Sequence, residues 1–338
     1  MNEKTVLLEG LLSGWAEQRP LALMLVVAHT GSAPAAKASM MLIQAGVAVA
    51  GTIGGGALEF EAMAQARQAM LDGRPRLLDY VLTPEASGMP CGGGVTVLIA
   101  PMSRPSDVER AVFTRALQCL KRQTPVSLGI CCHYGQEGLD PRGRGETVAI
   151  RIRPLQAIAW HLAAADAQDH PSDPGTFLLH LSPSPRLLVF GAGHIAQALA
   201  PMALAVDFQV TVLDDRAEYL TTLAFPEGVD TRILPAFEES LAAVAPDSAT
   251  WLLIATYGHR HDHTMLTQAL ATPAAYIGVV GSRHKRASMF DALNRAGWGP
   301  GDLARVHCPV GLPIGGITPA EIAVSILAQM IAVRRGKA

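Results

Sequence analysis

The sequence is short of the features that mark several functional classes. Its 338 residues hold five cysteines, and none forms a C-x-x-C pair. An odd, scattered set builds neither a disulfide framework nor a zinc ribbon. Charged side chains make up only 17%, with 27 Lys+Arg against 29 Asp+Glu. A formal net charge of −2 gives no general attraction to nucleic acid or an anionic membrane. No apolar run approaches the roughly 18–20 residues of a membrane span. The longest, Leu21 to Ala28, has the length of a strand. The opening Met-Asn-Glu-Lys lacks the charged, apolar and small-residue order of a secretory signal, so a cytoplasmic location is expected. What is plentiful is apolar residue, at 49%. That composition supports a sizeable core and is the opposite of a disordered chain. The length fits two domains at about 100–200 residues each.

The expected fold class is α/β, with a C-terminal Rossmann-like parallel-sheet domain and an N-terminal mixed α+β domain. The predicted boundaries are residues 1–165 for the N-terminal domain, 166–185 for a linker and 186–338 for the Rossmann-like domain. The linker carries Asp-His-Pro-Ser-Asp-Pro-Gly and then Ser-Pro-Ser-Pro, and neither stretch favours a regular element. In the N-terminal half, a helix from Val6 to Gln18 precedes a strand at Leu21–Ala28. A hairpin follows across Ala45-Gly46, where Gly supplies positive φ. A helix over Ala57–Leu71 places Leu58, Ala62, Ala66 and Met70 on one face. Ser106 and Glu109 form a capping box, and strands at Val126–His133 and Thr147–Ile152 close the domain. In the C-terminal half, short apolar runs at Leu187–Phe190, Gln209–Leu213, Trp251–Ala255 and Ala275–Val280 alternate with helical stretches, which predicts a parallel sheet. Thr318 and Glu321 cap the last helix, with Pro319 in its first turn.

Five motifs carry candidate chemistry. Gly191-Ala-Gly193-His-Ile-Ala196 follows a strand and opens a helix. Gly191 permits the tight turn, Gly193 lets backbone approach a phosphate, and Ala196 allows close helix packing. Asp214 ends the next strand, where an acid can bind a ribose hydroxyl. The turn offers a place for a nucleotide such as NAD(P), and a turn with no ligand is the plain alternative. Gly51-Thr-Ile-Gly54-Gly55-Gly56 runs into a helix, a place for a phosphate at exposed amides. Glu59 there stabilises the helix dipole without any chemistry. Cys91, in Pro90-Cys-Gly-Gly-Gly94, is either a nucleophile or metal ligand or a small buried thiol. His259, His261 and His263 alternate after a strand and coordinate a metal if the segment is extended; a solvated loop, or Asp262 as a helix cap, is the other reading. Ser282 and Arg283, in Gly281-Ser-Arg-His-Lys-Arg286, suit a phosphate or form a solvated basic turn.

Taken in order along nearly the whole chain, these motifs resemble the XdhC family, the xanthine dehydrogenase accessory proteins also called CoxI-like. The shared pattern comprises Gly31-Ser-Ala-Pro34, Gly51–Gly56 with Leu58-Glu59, Cys91-Gly-Gly93, Val189–Ala196, Val212-Leu-Asp-Asp-Arg216, Tyr276-Ile-Gly and Gly281-Ser-Arg283. Its most specific part is Gly311-Leu-Pro-Ile-Gly315 with Thr318–Ser325. The resemblance implies a chaperone without turnover of its own. It would bind the molybdenum cofactor (molybdopterin), support its sulfuration with a cysteine desulfurase, and insert it into a xanthine dehydrogenase-type molybdoenzyme. It also implies a homodimer, Cys91 on or near the molybdenum, and Gly54, Gly55, Gly56 and Glu59 lining the cofactor site. An NAD(P)-dependent oxidoreductase is the competing expectation from the Rossmann half.

Overall fold

The computed structural model describes residues 3–31, 37–82, 93–134, 149–163, 165, 167, 175–221, 223–238 and 240–337. The chain divides into two compact units, Asn2–Pro183 and Ser184–Ala338.

The first unit contains α1 (Glu3–Ala16), β1 (Leu21–Thr30), β2 (Met40–Gln44), β3 (Val47–Gly51), α2 (Gly56–Asp72), β4 (Arg76–Leu82), β5 (Gly93–Pro101), α3 (Asp107–Lys121), β6 (Val126–Tyr134), β7 (Ala149–Ala163) and β8 (Thr176–Leu181). The strands lie in the order β3-β2-β1-β5-β4-β7-β6-β8, every pair antiparallel. β1 explains its own unbroken apolar run. Leu21, Leu23, Leu25 and Val27 enter a core built with α1 and α3, while Ala22, Met24 and Val26 enter a second core under α2. A strand covered on both faces has no solvent side on which polar residues would alternate. In the first core Phe113 meets Trp15 and Trp160 edge-on, at centroid distances of 5.7 and 5.0 Å. The hairpin turns at Ala45 and Gly46, both at positive φ, and Arg67 clamps the Gly46 carbonyl.

Two features of this unit differ from the reading of the sequence. The stretch 166–185 is not all linker, because β8 lies within it and pairs with β6. β7 does not stop at Ile152 but runs 15 residues. Its first part pairs with β4 as far as Arg76↔Pro154, and its second part pairs with β6. Pro154 has no amide to donate, and it sits where the ladder changes partner.

The second unit contains β9 (Arg186–Phe190), α4 (His194–Ala205), β10 (Gln209–Asp214), a 3-10 turn (Ala217–Tyr219), β11 (Asp230–Ile233), α5 (Ser240–Val244), β12 (Thr250–Ile254), α6 (His259–Leu270), β13 (Tyr276–Val279), α7 (Arg283–Arg295), α8 (Pro300–Leu303), β14 (Val306–His307) and α9 (Pro319–Arg334). All strands are parallel, in the order β11-β10-β9-β12-β13-β14. This is the doubly wound Rossmann arrangement, with its reversal of strand order between β9 and β12. Leu187 and Val189 face a core with α4 and α9; Leu188 and Phe190 face one with α6 and α7. No helix among the described residues is long and apolar enough to cross a membrane.

Candidate functional site

In the first unit, the directions of the strands bring three strand ends together. β1, β3 and β4 run the same way, because each is separated from the next by one antiparallel strand. Their carboxyl ends therefore share one end of the sheet. From that end the chain continues into Gly31, into Gly51–Gly56, and into the connection 83–92 that carries Cys91. Cys91 itself lies outside the described residues, as do Ser32 to Pro34.

The glycine-rich turn is built by its own conformational demands. A Cβ at Gly51 would come within 2.1 Å of the Met40 carbonyl oxygen. Gly54, Gly55 and Gly56 hold φ of 118, 73 and 63°, a succession that side chains resist. Glu59 does more than sit at a helix dipole. Its Oε2 accepts the Thr52 hydroxyl at 2.6 Å, the Gly55 amide at 3.1 Å and the Ile53 amide at 3.2 Å. The Gly54 amide donates to Thr52 Oγ1 at 3.1 Å. The anion held by the turn's own amides is thus a carboxylate of the protein. What is left for a phosphate is the start of α2. Its first amides have no intrahelical partner, its cap residue Gly55 supplies no side-chain bond, and a Cβ there would meet nothing within 4 Å among the described residues.

In the second unit, the carboxyl ends of the strands collect Gly191, Gly193, Ala196, Asp214, Ser282 and Arg283, as expected of a parallel sheet. Gly191 is required: φ is 111°, and a Cβ would fall 2.2 Å from the Ala255 carbonyl oxygen. Gly193 caps α4 at an ordinary φ of −71°, and a Cβ there would meet nothing within 4 Å. Ala196 is fully buried under the helix.

Asp214 is occupied differently from the ribose role read for it. It is buried, and its Oδ2 accepts the Ala192 amide at 2.7 Å and Arg216 Nη2 at 2.9 Å. Oδ1 accepts the Arg216 amide at 3.0 Å and Nε at 2.9 Å. Burial alone would raise its carboxyl, but these donors and the guanidinium charge outweigh it and hold it below the usual range. Arg216 is in turn sandwiched between the rings of Tyr219 and Tyr257, 4.0 and 4.1 Å from their centroids. Tyr257 donates its hydroxyl to Asp215 at 3.0 Å. Arg216 went unassigned in the sequence; its only signal was its place in the run Asp214-Asp-Arg.

The segment with three histidines is helical, not an extended loop. At 3.6 residues per turn, His259 and His263 share a side of α6 while His261 lies on the other. His261 packs against Phe237 and Tyr257 instead. Among the described residues no group of three or more His, Cys, Asp or Glu is arranged to hold a metal. Asp262 does not cap the helix, since the cap residue is Gly258. The Asp262 carboxylate is buried, accepts the Thr256 hydroxyl at 2.7 Å, and pairs with Lys285. Lys285 also donates to the Val280 carbonyl at 2.8 Å. Ser282 caps α7 through the Lys285 amide at 3.1 Å. Of the basic run, Arg283 and Arg286 remain on the surface and Lys285 turns inward.

Comparison with known proteins matches both units to one family. Residues 187–330 fit the XdhC Rossmann domain, and residues 14–81 fit the XdhC and CoxI family. Among curated relatives, an uncharacterized protein, YqeB of Escherichia coli (strain K12), is 25% identical over 93% of this chain and 44% of its own length. A probable xanthine dehydrogenase subunit of Bacillus subtilis (strain 168) is 30% identical over 54% of this chain and 53% of its own. The chain thus spans about half of those two relatives or less. The molybdenum cofactor insertion chaperone PaoD of Escherichia coli (strain K12) is 24% identical over 96% of this chain and 86% of its own. A crystal structure described as a xanthine dehydrogenase from Bacillus halodurans superposes with a TM-score of 0.78 at 25% identity, covering 100% of this chain and 97% of that one.

Proposed function

Because this chain belongs to the XdhC and CoxI family, we propose that it is a molybdenum cofactor chaperone serving a xanthine dehydrogenase-type molybdoenzyme. It binds the molybdopterin-type cofactor, supports its sulfuration together with a cysteine desulfurase, and passes it to the client. The observation that carries this reading is the similarity to a cofactor insertion chaperone over 96% of the chain. The role is handover, with no turnover by the chain itself, and a cytoplasmic homodimer is the assembly we assign to it.

The cofactor would supply a phosphate and a soft metal–sulfur centre. The residues present suit the first through the start of α2, where no described residue lies within 4 Å of a Cβ built at Gly55 and the first helical amides are unpaired within the helix. Glu59 keeps the turn in shape from behind. Cys91 offers a thiolate to the molybdenum. Arg283 on the surface of the second unit is available to an anion, with Ser282 fixing the start of its helix. In this reading Gly191, Gly193 and Ala196 shape a phosphate-sized approach. The competing oxidoreductase reading loses its ribose acceptor, since both oxygens of Asp214 are engaged internally.

The test is to purify the full chain, without chelators, from a host that makes molybdopterin. Molybdenum is then measured by mass spectrometry and pterin by fluorescence after oxidation. Both are expected at a fixed ratio, and Cys91→Ser is expected to lower the molybdenum while leaving thermal stability unchanged. Absence of both after anaerobic handling would overturn the chaperone reading. Unaltered molybdenum in the variant would remove Cys91 from the site.

A further inference from the structure

The first unit has a groove at the end of its sheet opposite the glycine-rich turn. The cavity measures about 940 Å³. Its walls include Trp15 near the end of α1, Leu71 and Asp72 at the end of α2, and Arg104 and Arg110 around the start of α3. The Trp15 ring is fixed, since its indole N–H donates to the Met102 carbonyl and Phe113 packs against it. Leu71 is 82% exposed at the groove's edge.

The charges here do not balance. Asp72 is the acid in the lining, and it is already committed: Oδ2 takes Arg76 Nη2 at 2.6 Å and Oδ1 takes the Arg74 amide at 2.8 Å. Arg104 and Arg110 are both exposed, and neither has an ion-pair partner among the described residues. Arg110 lies over the Trp15 ring, 5.7 Å from its centroid. The groove therefore presents two guanidinium groups with no ion-pair partner among the described residues, and an exposed leucine at its edge.

We propose that this groove is a docking site for an acidic segment of a partner protein, one that carries an apolar side chain between carboxylates. The carboxylates meet Arg104 and Arg110, planar donors well matched to them, and the apolar side chain covers Leu71. Docking here leaves the other end of the unit free. α2 has 17 residues, and at 1.5 Å each it holds the groove about 25 Å from its own glycine-rich start. The proposal does not depend on which ligand occupies that start.

The test uses the full chain and fluorescence anisotropy with two labelled peptides, Glu-Asp-Leu-Phe-Asp-Glu and its counterpart with every acid replaced by Lys. The acidic peptide is expected to bind, more tightly as salt falls, and the basic one not. Arg104→Glu with Arg110→Glu is expected to weaken binding at least tenfold, and Leu71→Asp to weaken it too. Arg232→Glu, in the other unit, leaves it unchanged. Arg104→Gln with Arg110→Gln carries the same comparison if charge reversal unfolds the chain. Equal binding by wild type and the paired variants overturns the proposal, as does failure of the acidic peptide to saturate at millimolar concentration or equal binding of the basic peptide.

Discussion

The carboxylate of Asp214 accepts the amide of Ala192 at 2.7 Å, so the end of one strand holds the glycine-rich turn that follows its neighbour. The same carboxylate gathers Arg216 by its backbone amide and two guanidinium nitrogens. Asp214→Asn replaces an all-acceptor group with one that puts an NH2 among donors. We expect a loss of about 2–3 kcal/mol, read as a lower urea midpoint at pH 7. The pH dependence has a definite sign. The folded carboxyl lies below its ordinary value of 3.8. Its stabilisation is therefore complete above that value and disappears as pH falls through the lowered one. The gap between wild type and variant should close in strong acid.

Glu59→Ala leaves the Thr52 hydroxyl and the Ile53 and Gly55 amides without their common acceptor. The expected cost is about 1–3 kcal/mol, seen as a fall in melting temperature of the unliganded chain. If the turn shapes a phosphate site, cofactor content should fall in parallel. A variant that keeps its melting temperature would show that the turn holds without Glu59.

Lys285→Met leaves the buried Asp262 carboxylate with Thr256 as its one side-chain partner among the described residues. Removing one partner of a buried pair costs about 3–5 kcal/mol. The double variant Asp262→Leu with Lys285→Met removes both charges and should be less damaged than the single one. Urea unfolding of all four members of the cycle gives the coupling directly; additive costs would mean that the pair is not coupled.

Tyr80 is 1% exposed, and among the described residues its hydroxyl has no hydrogen-bond partner. Burial, with the nearby Glu61 charge, pushes the phenol up from its ordinary value of 10. Tyr80→Phe removes an unsatisfied polar atom and keeps the ring. The urea midpoint should stay or rise, by up to about 1 kcal/mol. A clear fall would reveal a partner for the hydroxyl.

Much of this architecture was legible because its signals are local. The capping boxes at Ser106/Glu109 and Thr318/Glu321 need only four residues each, and both form. The strand–Gly191–helix unit and the Ala45-Gly46 hairpin are equally short-range. The features that escaped depend on distant partners or lack a local mark. β8 is six residues between two proline-rich stretches, and only β6 makes it a strand. α6 starts at a glycine cap with no side-chain bond, so nothing before His259 announces a helix. In the candidate sites, residue types were readable but their uses were not. Asp214 and Glu59 have the expected identities, yet each carboxylate is spent on the backbone turn beside it. The Asp262–Lys285 pair spans 23 residues and has no spacing rule to betray it.

The long β7 carries a consequence for how the first unit comes apart. One half of this strand completes the ladder with β4, and the other half completes the ladder with β6. The two ladders meet through the continuous backbone of this 15-residue strand, since its residues up to Pro154 pair with β4 and those from Leu155 pair with β6. That backbone is the link by which the described strands form one eight-stranded sheet. A chain severed near Pro154 would break no ladder pair on either side, yet would leave the two ladders without the backbone that joins them, held together by the core they share.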